Sequence, residues 1–480
     1  MKIGRNTTCT CGSGKKYKKC CLDGDRKKEM LKQKVKKITR RDLISGPYKN
    51  CPNCFNKDSF GVFTPIVDNK SYTRECIKCG YREEFILPVI KKKILYLDQF
   101  VISNLVKLLD KSHPSHIRIK ADTFWSELFI KLEKASKSQA IVCPDSFYHK
   151  DESLIGKIDY RLMRRLYEHF SNGKTLYPSI IIEKNQIIQH FEGWLANRKT
   201  EFDFKPETIS FEGNLHNWAI GLRISVGGSP YPGQIENLRK TNTMTQDQLK
   251  NIWQRWQNEK ISFANRVKEE TLGLGKGLIG AAGQFARRKS SIMAKMAAGK
   301  DYTLDVDDIL PPLSNDILEE QIKIAKKFGL QGEQIPATII KYFNDVDGLL
   351  GIPQTRISSV MFAGLAHRAA NGKKYSPKST IDIQFISSYL PYCDAIFVDK
   401  ESELLLREFP KDTPDYLRLK EFPAKVFSLR NKREFLDYLD NLVSNIPPYQ
   451  IDTLKDVEGD DYAKPFWSII EDEKSNRRLG

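Results

Sequence analysis

Nowhere in these 480 residues does an apolar run approach the roughly 20 residues that a membrane-spanning helix needs. Behind Met1 stands Lys2, followed by polar residues and cysteines, without the apolar core of a secretory leader. The chain is therefore expected in the cytoplasm. No internal repeat and no long low-complexity tract is present. A phosphate-cradling G-x-x-x-x-G-K-[ST] loop is missing too, because the glycine-rich LGLGKGLIGAAG (272–283) does not fit it. Cysteine is nearly absent from most of the chain. Eight of the ten lie within residues 9–79, and only Cys143 and Cys393 lie beyond. Cysteines clustered in this way point in a cytoplasmic protein to metal ligands rather than disulfides.

What is present is a globular composition, 40% hydrophobic and 29% charged, long enough for two to four domains of ordinary size. The net charge of +18 is unevenly spread. Residues 1–50 hold 16 Lys and Arg against 4 Asp and Glu, so +12 of the excess sits in the first tenth of the chain. Such a segment attracts polyphosphate, and nucleic acid is the expected partner, with a plain solubilising arm as the alternative.

The first cysteine group reads Cys9-x-Cys11, eight residues, then Cys20-Cys21. Four thiolates can close a tetrahedral zinc site, and Gly12 and Gly14 let the chain turn between the pairs. The stretch GRNTTCTCGSGKKYKKCC resembles the SEC-C zinc motif, a short module found at the tail of the bacterial protein-translocation motor and in unrelated proteins. That resemblance implies docking to a ribosomal or protein partner. The second group is CPNC (Cys51, Cys54) and CIKCG (Cys76, Cys79), 21 residues apart, the pattern of a zinc ribbon with strands near Phe60–Pro65 and Ser71–Arg74. Both sites are expected to hold structural zinc, since four cysteine ligands leave no position for a reacting water. The expected layout is 1–25 for the first zinc module, 26–48 for a basic helical linker and 49–90 for the ribbon.

Beyond residue 91 the texture changes. ILYLD (94–98) is a strand-length run leading into the amphipathic helix FVISNLVKLLD. AIVCPDS (140–146) is a second strand, and STIDIQFISSYLPYCDAIFVDKE (379–401) reads helix then strand. PAKVFSL and the helix REFLDYLDNLV follow. Strands alternating with helices argue α/β with a parallel sheet, here interrupted by a helical insertion over about 160–355, with the domain running 91–445 and a C-terminal tail over 446–480. Asp98 ends the first strand, where an aspartate either caps the following helix or ligates a metal. Glu152, Asp382, Asp394 and Asp399 also fall near strand ends or helix starts. Carboxylates gathered on one rim repel each other unless a divalent cation holds them, and Mg2+ or Mn2+ suits an all-oxygen set. His149 reads as a packed or capping residue, and Trp253 and Trp256 as core. Arg287, Arg288 and Lys289 fit phosphate contact or a solvated face equally.

The order of these acids resembles the PIN-like nuclease family: an Asp after the first strand, a Glu on an early helix, an Asp opening a late helix and an Asp after the next strand. They match Asp98, Glu152, Asp382 and Asp399, with Asp394 as an additional acid and Asp145 and Asp151 as rivals to Glu152. The resemblance implies a PIN-like parallel sheet with flanking helices and metal-dependent hydrolysis of phosphodiesters through Mg2+ or Mn2+, RNA being favoured over DNA. Zinc modules attached to such a nuclease would suit a toxin or antiphage effector. The competing reading is a non-enzymatic adaptor that binds nucleic acid, ribosome or chaperone on a degenerate PIN-like scaffold.

Overall fold

The computed structural model describes residues 6–8, 15–21, 39–64, 70–156, 159–220, 233–299, 311–373 and 379–463. The chain divides into two compact units. One comprises 1–88, 220–223 and 452–461, and the other holds 89–219, 224–451 and 462–480.

The first unit is built on an antiparallel meander of β1 (Ile44–Lys49), β2 (Phe60–Phe63), β3 (Ser71–Cys76) and β4 (Arg82–Ile86). Phe60 pairs with Cys76 and Val62 with Arg74. The two expected hairpin strands are both present, and two more flank them. Strand β1 also redraws the expected boundary: 44–49 is strand, not the end of a helical linker, because Ile44 is buried and pairs with Phe63. The rest of that linker, 26–38, lies outside the described residues. Arg74 is fully buried, its guanidinium donating to the carbonyls of Pro47 and Phe60 at 2.9 Å. The Asp456 carboxylate meets Arg74, Tyr72 and Lys49. Part of the expected tail is thus structure. Pro448–Glu458 is a helix, and its buried Leu454 and Val457 cover apolar surface that a free tail would leave in water.

The second unit has a four-stranded, wholly parallel sheet in the order β6-β5-β7-β8: β5 is Lys93–Leu97, β6 Ile141–Val142, β7 Ala395–Phe397 and β8 Lys425–Phe427. Its strands are apolar on both faces, as parallel strands covered by helices must be. The period of two sorts them. Ile94, Tyr96, Val142, Ile396 and Val426 enter one core, and Leu95, Leu97, Ile141, Phe397 and Phe427 the other. The second core is closed by α1 (Gln99–Leu109), α2 (Thr123–Lys137), α4 (Tyr160–Ser171) and the helix Lys432–Ser444. The helix α3 (Phe147–Ile155) precedes α4.

Between β6 and β7 the described residues are mostly helical. The helices include α5 (Ser179–Leu195), α6 (Gln234–Asn258), α7 (Phe263–Ala297), α8 (Gln334–Asn344), α9 (Pro353–Ala370) and α10 (Ser379–Tyr389). Trp253 and Trp256 are buried in the first core, as their helical spacing suggested. The glycine-rich stretch is the middle of α7. A Cβ at Gly275 would lie 2.7 Å from Cβ of Phe343 on α8, so glycine there permits a close helix crossing and not a phosphate loop. Among the described residues no helix is long and apolar enough to cross a membrane.

Candidate functional site

The ribbon cysteines converge. The four Sγ atoms of Cys51, Cys54, Cys76 and Cys79 lie within 4.8 Å of one another, with Cys51–Cys79 and Cys54–Cys76 both 3.7 Å apart. A tetrahedron of thiolates about 2.3 Å from zinc has edges of roughly 3.8 Å. Each knuckle turns through a left-handed residue just after its second cysteine, Phe55 (φ 57°) and Gly80 (φ 75°). Backbone N–H groups of Cys54, Lys78 and Cys79 and the Asn56 amide point at the sulfurs. Burial opposes the Cys76 thiolate, but the Ser59 hydroxyl and the Cys79 and Lys78 amides outweigh it and draw the thiol below its usual range. Burial holds Cys51 above it. The donor set fits zinc. In the first module, Cys20 and Cys21 place their Sγ atoms 3.7 Å apart, the same edge length. Cys9 and Cys11 lie outside the described residues.

The carboxylates sit at the carboxyl end of the parallel sheet. Asp98 follows β5 and caps α1, accepting from the Phe100 N–H at 3.2 Å. Asp399 follows β7 and caps the helix Lys400–Arg407, accepting from the Ser402 N–H at 2.7 Å. The Asp98 N–H donates to the Phe397 carbonyl, which brings the two strand ends together. Asp382 is in the first turn of α10 and Glu152 in the last turn of α3. All four line one cleft of about 500 Å³. Gln99, Ser103, Asn104 and Lys107 of α1 and Gln246 of the insertion helix α6 complete its polar wall. These five were invisible in the sequence, where polar positions on an amphipathic helix look like a solvated face.

Asp394 is separated from the others. Its carboxylate accepts from the Ile94 N–H at 2.9 Å and the Lys93 ammonium at 2.7 Å, at the opposite, amino-terminal end of the sheet. Five residues of strand at about 3.3 Å each stand between that end and Asp98. The residue that the PIN-like resemblance offered as an additional acid is a strand-start anchor. Of the rivals to Glu152, Asp145 is buried and its carboxylate meets the Arg164 guanidinium, and Asp151 does not line the cleft. His149 is sealed beneath, stacked between the rings of Tyr96 (5.1 Å) and Tyr167 (4.4 Å), with Nδ1 3.5 Å from Asp145. Burial lowers the pKa of His149, against the opposing pull of Asp145.

The acids and the buried oxygen Gln99 Oε1, which has no hydrogen-bond partner, form the all-oxygen donor chemistry of Mg2+ or Mn2+. Among the described residues, three or more ligand atoms come within 4.8 Å of one another only at the ribbon cysteines. The four acids therefore share one cleft without gathering three ligand atoms at one ion-sized point.

Under the cleft, the Asp145–Arg164 pair gives a testable result. Burial would raise Asp145, but His149 and Arg164 hold it down at about 2, below the 3.8 of a free carboxyl. Its contribution is complete above 3.8 and is lost as pH falls through 2. Arg164→Leu strands a buried charge and should cost about 3–5 kcal/mol at pH 7. The stranded carboxyl then titrates above its unfolded value, so the deficit should shrink as pH falls. Denaturant melts of both proteins between pH 7 and pH 4 measure this, and a deficit constant across that range would contradict it.

The SEC-C motif matches residues 5–23. Over 20 residues the chain is 90% identical to "UPF0225 protein GSU1048" of Geobacter sulfurreducens, which is 4% of this chain and 12% of that protein. Over 20 residues it is likewise 90% identical to "Protein translocase subunit SecA" of Desulfotalea psychrophila, 4% of this chain and 2% of the other. The chain thus spans a small fraction of the curated relatives it matches. No solved structure matches it. The molecule is a mixed α/β protein with a parallel sheet and many helices. It carries an N-terminal SEC-C motif and a cysteine cluster that can hold zinc.

Proposed function

We propose that the chain is a PIN-like, metal-dependent endonuclease that hydrolyses RNA and that its basic, zinc-binding N-terminal region recruits the substrate. One observation carries this reading: Asp98, Glu152, Asp382 and Asp399, acids far apart in sequence, line a single cleft at the carboxyl edge of a parallel sheet. Ligand sites of open α/β sheets lie at that edge.

Mg2+ or Mn2+ bound by these acids and Gln99 would supply an activated water and neutralise charge on the phosphate. The protein's own residues do the rest. The capping bonds at Asp98 and Asp399 fix both side chains, so little ordering remains for the moment of binding. Lys107, whose ammonium donates to Asn104 Oδ1 at 3.2 Å, is the one basic residue lining the cleft among the described residues and would meet a non-bridging phosphate oxygen. Gln246 ties substrate contact to the helical insertion.

The test is cleavage of RNA by the full chain with Mg2+ or Mn2+, compared with Asp98→Asn. The same capping bonds favour a second reading, a non-enzymatic adaptor, because an N-cap accounts for an aspartate without any metal. Full cleavage in Asp98→Asn, or none in the parent chain, would support the adaptor.

Recruitment has its own expected result. Residues 1–38 hold 13 Lys and Arg against 3 Asp and Glu. Removing only these residues leaves the meander and its partner segment 452–461 intact, unlike a cut at residue 90. RNA affinity should fall, and its dependence on salt should flatten, because fewer condensed cations are released. Binding measured at several salt concentrations with an unchanged slope would remove the recruiting role.

A further inference from the structure

We propose that a second cavity, inside the helical insertion, binds a mononucleotide unit, its phosphate held by Arg198, Lys199 and Lys341 and its base against Trp194. The cavity is an open groove of about 900 Å³ between the carboxyl end of α5 and the segment from α8 to Gly351, and it shares no lining residue with the carboxylate cleft. That volume lies in the range of small-ligand sites.

The local sequence builds it. Helix α5 ends in a left-handed Asn197 (φ 51°), with the N–H of Arg198 bonded to the Gly193 carbonyl and that of Asn197 to the Trp194 carbonyl. This is a Schellman ending. It folds the chain back over Gly193, where a Cβ would stand 2.3 Å from Thr200 Oγ1. The return delivers Arg198, Lys199 and Thr200 to the cavity mouth. On the far wall, Gly351 leaves space that a Cβ would take 3.2 Å from His190 Nε2.

The wall is cationic and aromatic. Arg198, Lys199 and Lys341 are exposed, and none has a carboxylate partner among the described residues. Two acids, Asp345 and Asp347, also line the cavity against three cations, and Asp345 is committed: Oδ1 accepts from the Gly348 N–H at 3.0 Å and Oδ2 from the Trp194 indole N–H at 2.7 Å. That bond fixes the indole ring. Lys341 Nζ lies 6.0 Å from the centroid of the same ring, so charge and aromatic surface are adjacent. Thr200 Oγ1 is buried against Gly193, and its residue lines the cavity beside the cations. Cations beside an aromatic ring fit an anion that carries a flat, polarisable group, and a nucleotide is such a ligand.

The experiment is calorimetric titration of the full chain with adenosine monophosphate, without added Mg2+ or Mn2+ so that the acidic cleft takes no part. Saturable binding is expected, with at least about tenfold weaker binding of adenosine and of inorganic phosphate. Arg198→Glu with Lys341→Glu should weaken adenosine monophosphate by at least about tenfold. Both positions are exposed and have no carboxylate partner among the described residues, so the double variant should melt like the parent. Asp98→Asn should bind as the parent does, which separates failure here from failure of the nuclease reading. Absence of saturation by about 10 mM, equal binding of adenosine, or equal binding by the double variant would each overturn the proposal. A short oligoribonucleotide with and without a terminal phosphate identifies the source. A phosphate-dependent advantage that the double variant loses indicates a strand end. Binding of adenosine monophosphate that the oligonucleotide cannot displace indicates a free nucleotide.

Discussion

Asp98→Asn should lower metal-dependent RNA cleavage by at least about a hundredfold while leaving the melting curve in place, since even the loss of a metal's outer-shell partners costs about 10–100-fold. Asparagine caps a helix about as well as aspartate, so the bond from Phe100 N–H survives and the start of α1 is unharmed. What is lost is one negative charge in a cleft lined, among the described residues, by four acids and one lysine. Asp98→Ala separates the two roles. It removes charge and cap together, and should add about 1 kcal/mol of destabilisation to the same loss of activity. Asp399→Asn should behave as Asp98→Asn does. Asp394→Asn should retain cleavage, because its partners Lys93 and Ile94 lie at the other end of the sheet. A cap without a metal role predicts the opposite pattern, with normal cleavage in Asp98→Asn. Rates with Mn2+ and with EDTA, read beside thermal melts of each variant, decide the matter. The variants are the cleaner control because EDTA also strips zinc.

Cys76→Ser should release one zinc per chain and unravel the cysteine end of the antiparallel meander. The apolar cluster there is small, Cys51, Phe60 and Cys76 with Cys54, Tyr81 and Phe85 against it. So little core cannot hold a fold alone, and structural zinc contributes apparent energies of roughly 10–16 kcal/mol in comparable peptides. Elemental analysis of the parent chain should find about two zinc ions if the first module also closes a four-thiolate site, and one fewer in the variant. Hydrogen exchange should accelerate at Phe60–Phe63 and Ser71–Cys76 and remain slow in β5 and β7, whose neighbours form their own two cores. Parent protein purified without chelator and found free of zinc, or unchanged exchange at those strands after the metal is lost, would refute the assignment.

The sequence by itself determined the features written in short-range spacing. Two pairs of cysteines, each with the C-x-x-C spacing, are the pattern of a zinc ribbon, so the ribbon needed no knowledge of the rest of the chain. The apolar run before Asp98 and the run after it likewise fixed a buried strand and an amphipathic helix, because periods of two and of 3.6 residues are local properties. Which acids meet was decided by the tertiary structure. Asp394 and Asp399 are five residues apart, yet strand β7 lies between them and sends them to opposite ends of the sheet. Asp98 and Asp399 are 301 positions apart in the chain, and parallel pairing of Leu97 with Phe397 sets them side by side. Segment 452–461 read as a tail because its partner, the buried Arg74, is a lone arginine on a strand, and only the folded meander gives that guanidinium an interior position. Gln246 and the cavity around Trp194 were equally hidden. Their surroundings are assembled by the packing of helices far apart in sequence, and a residue's spacing from its neighbours carries no record of that packing.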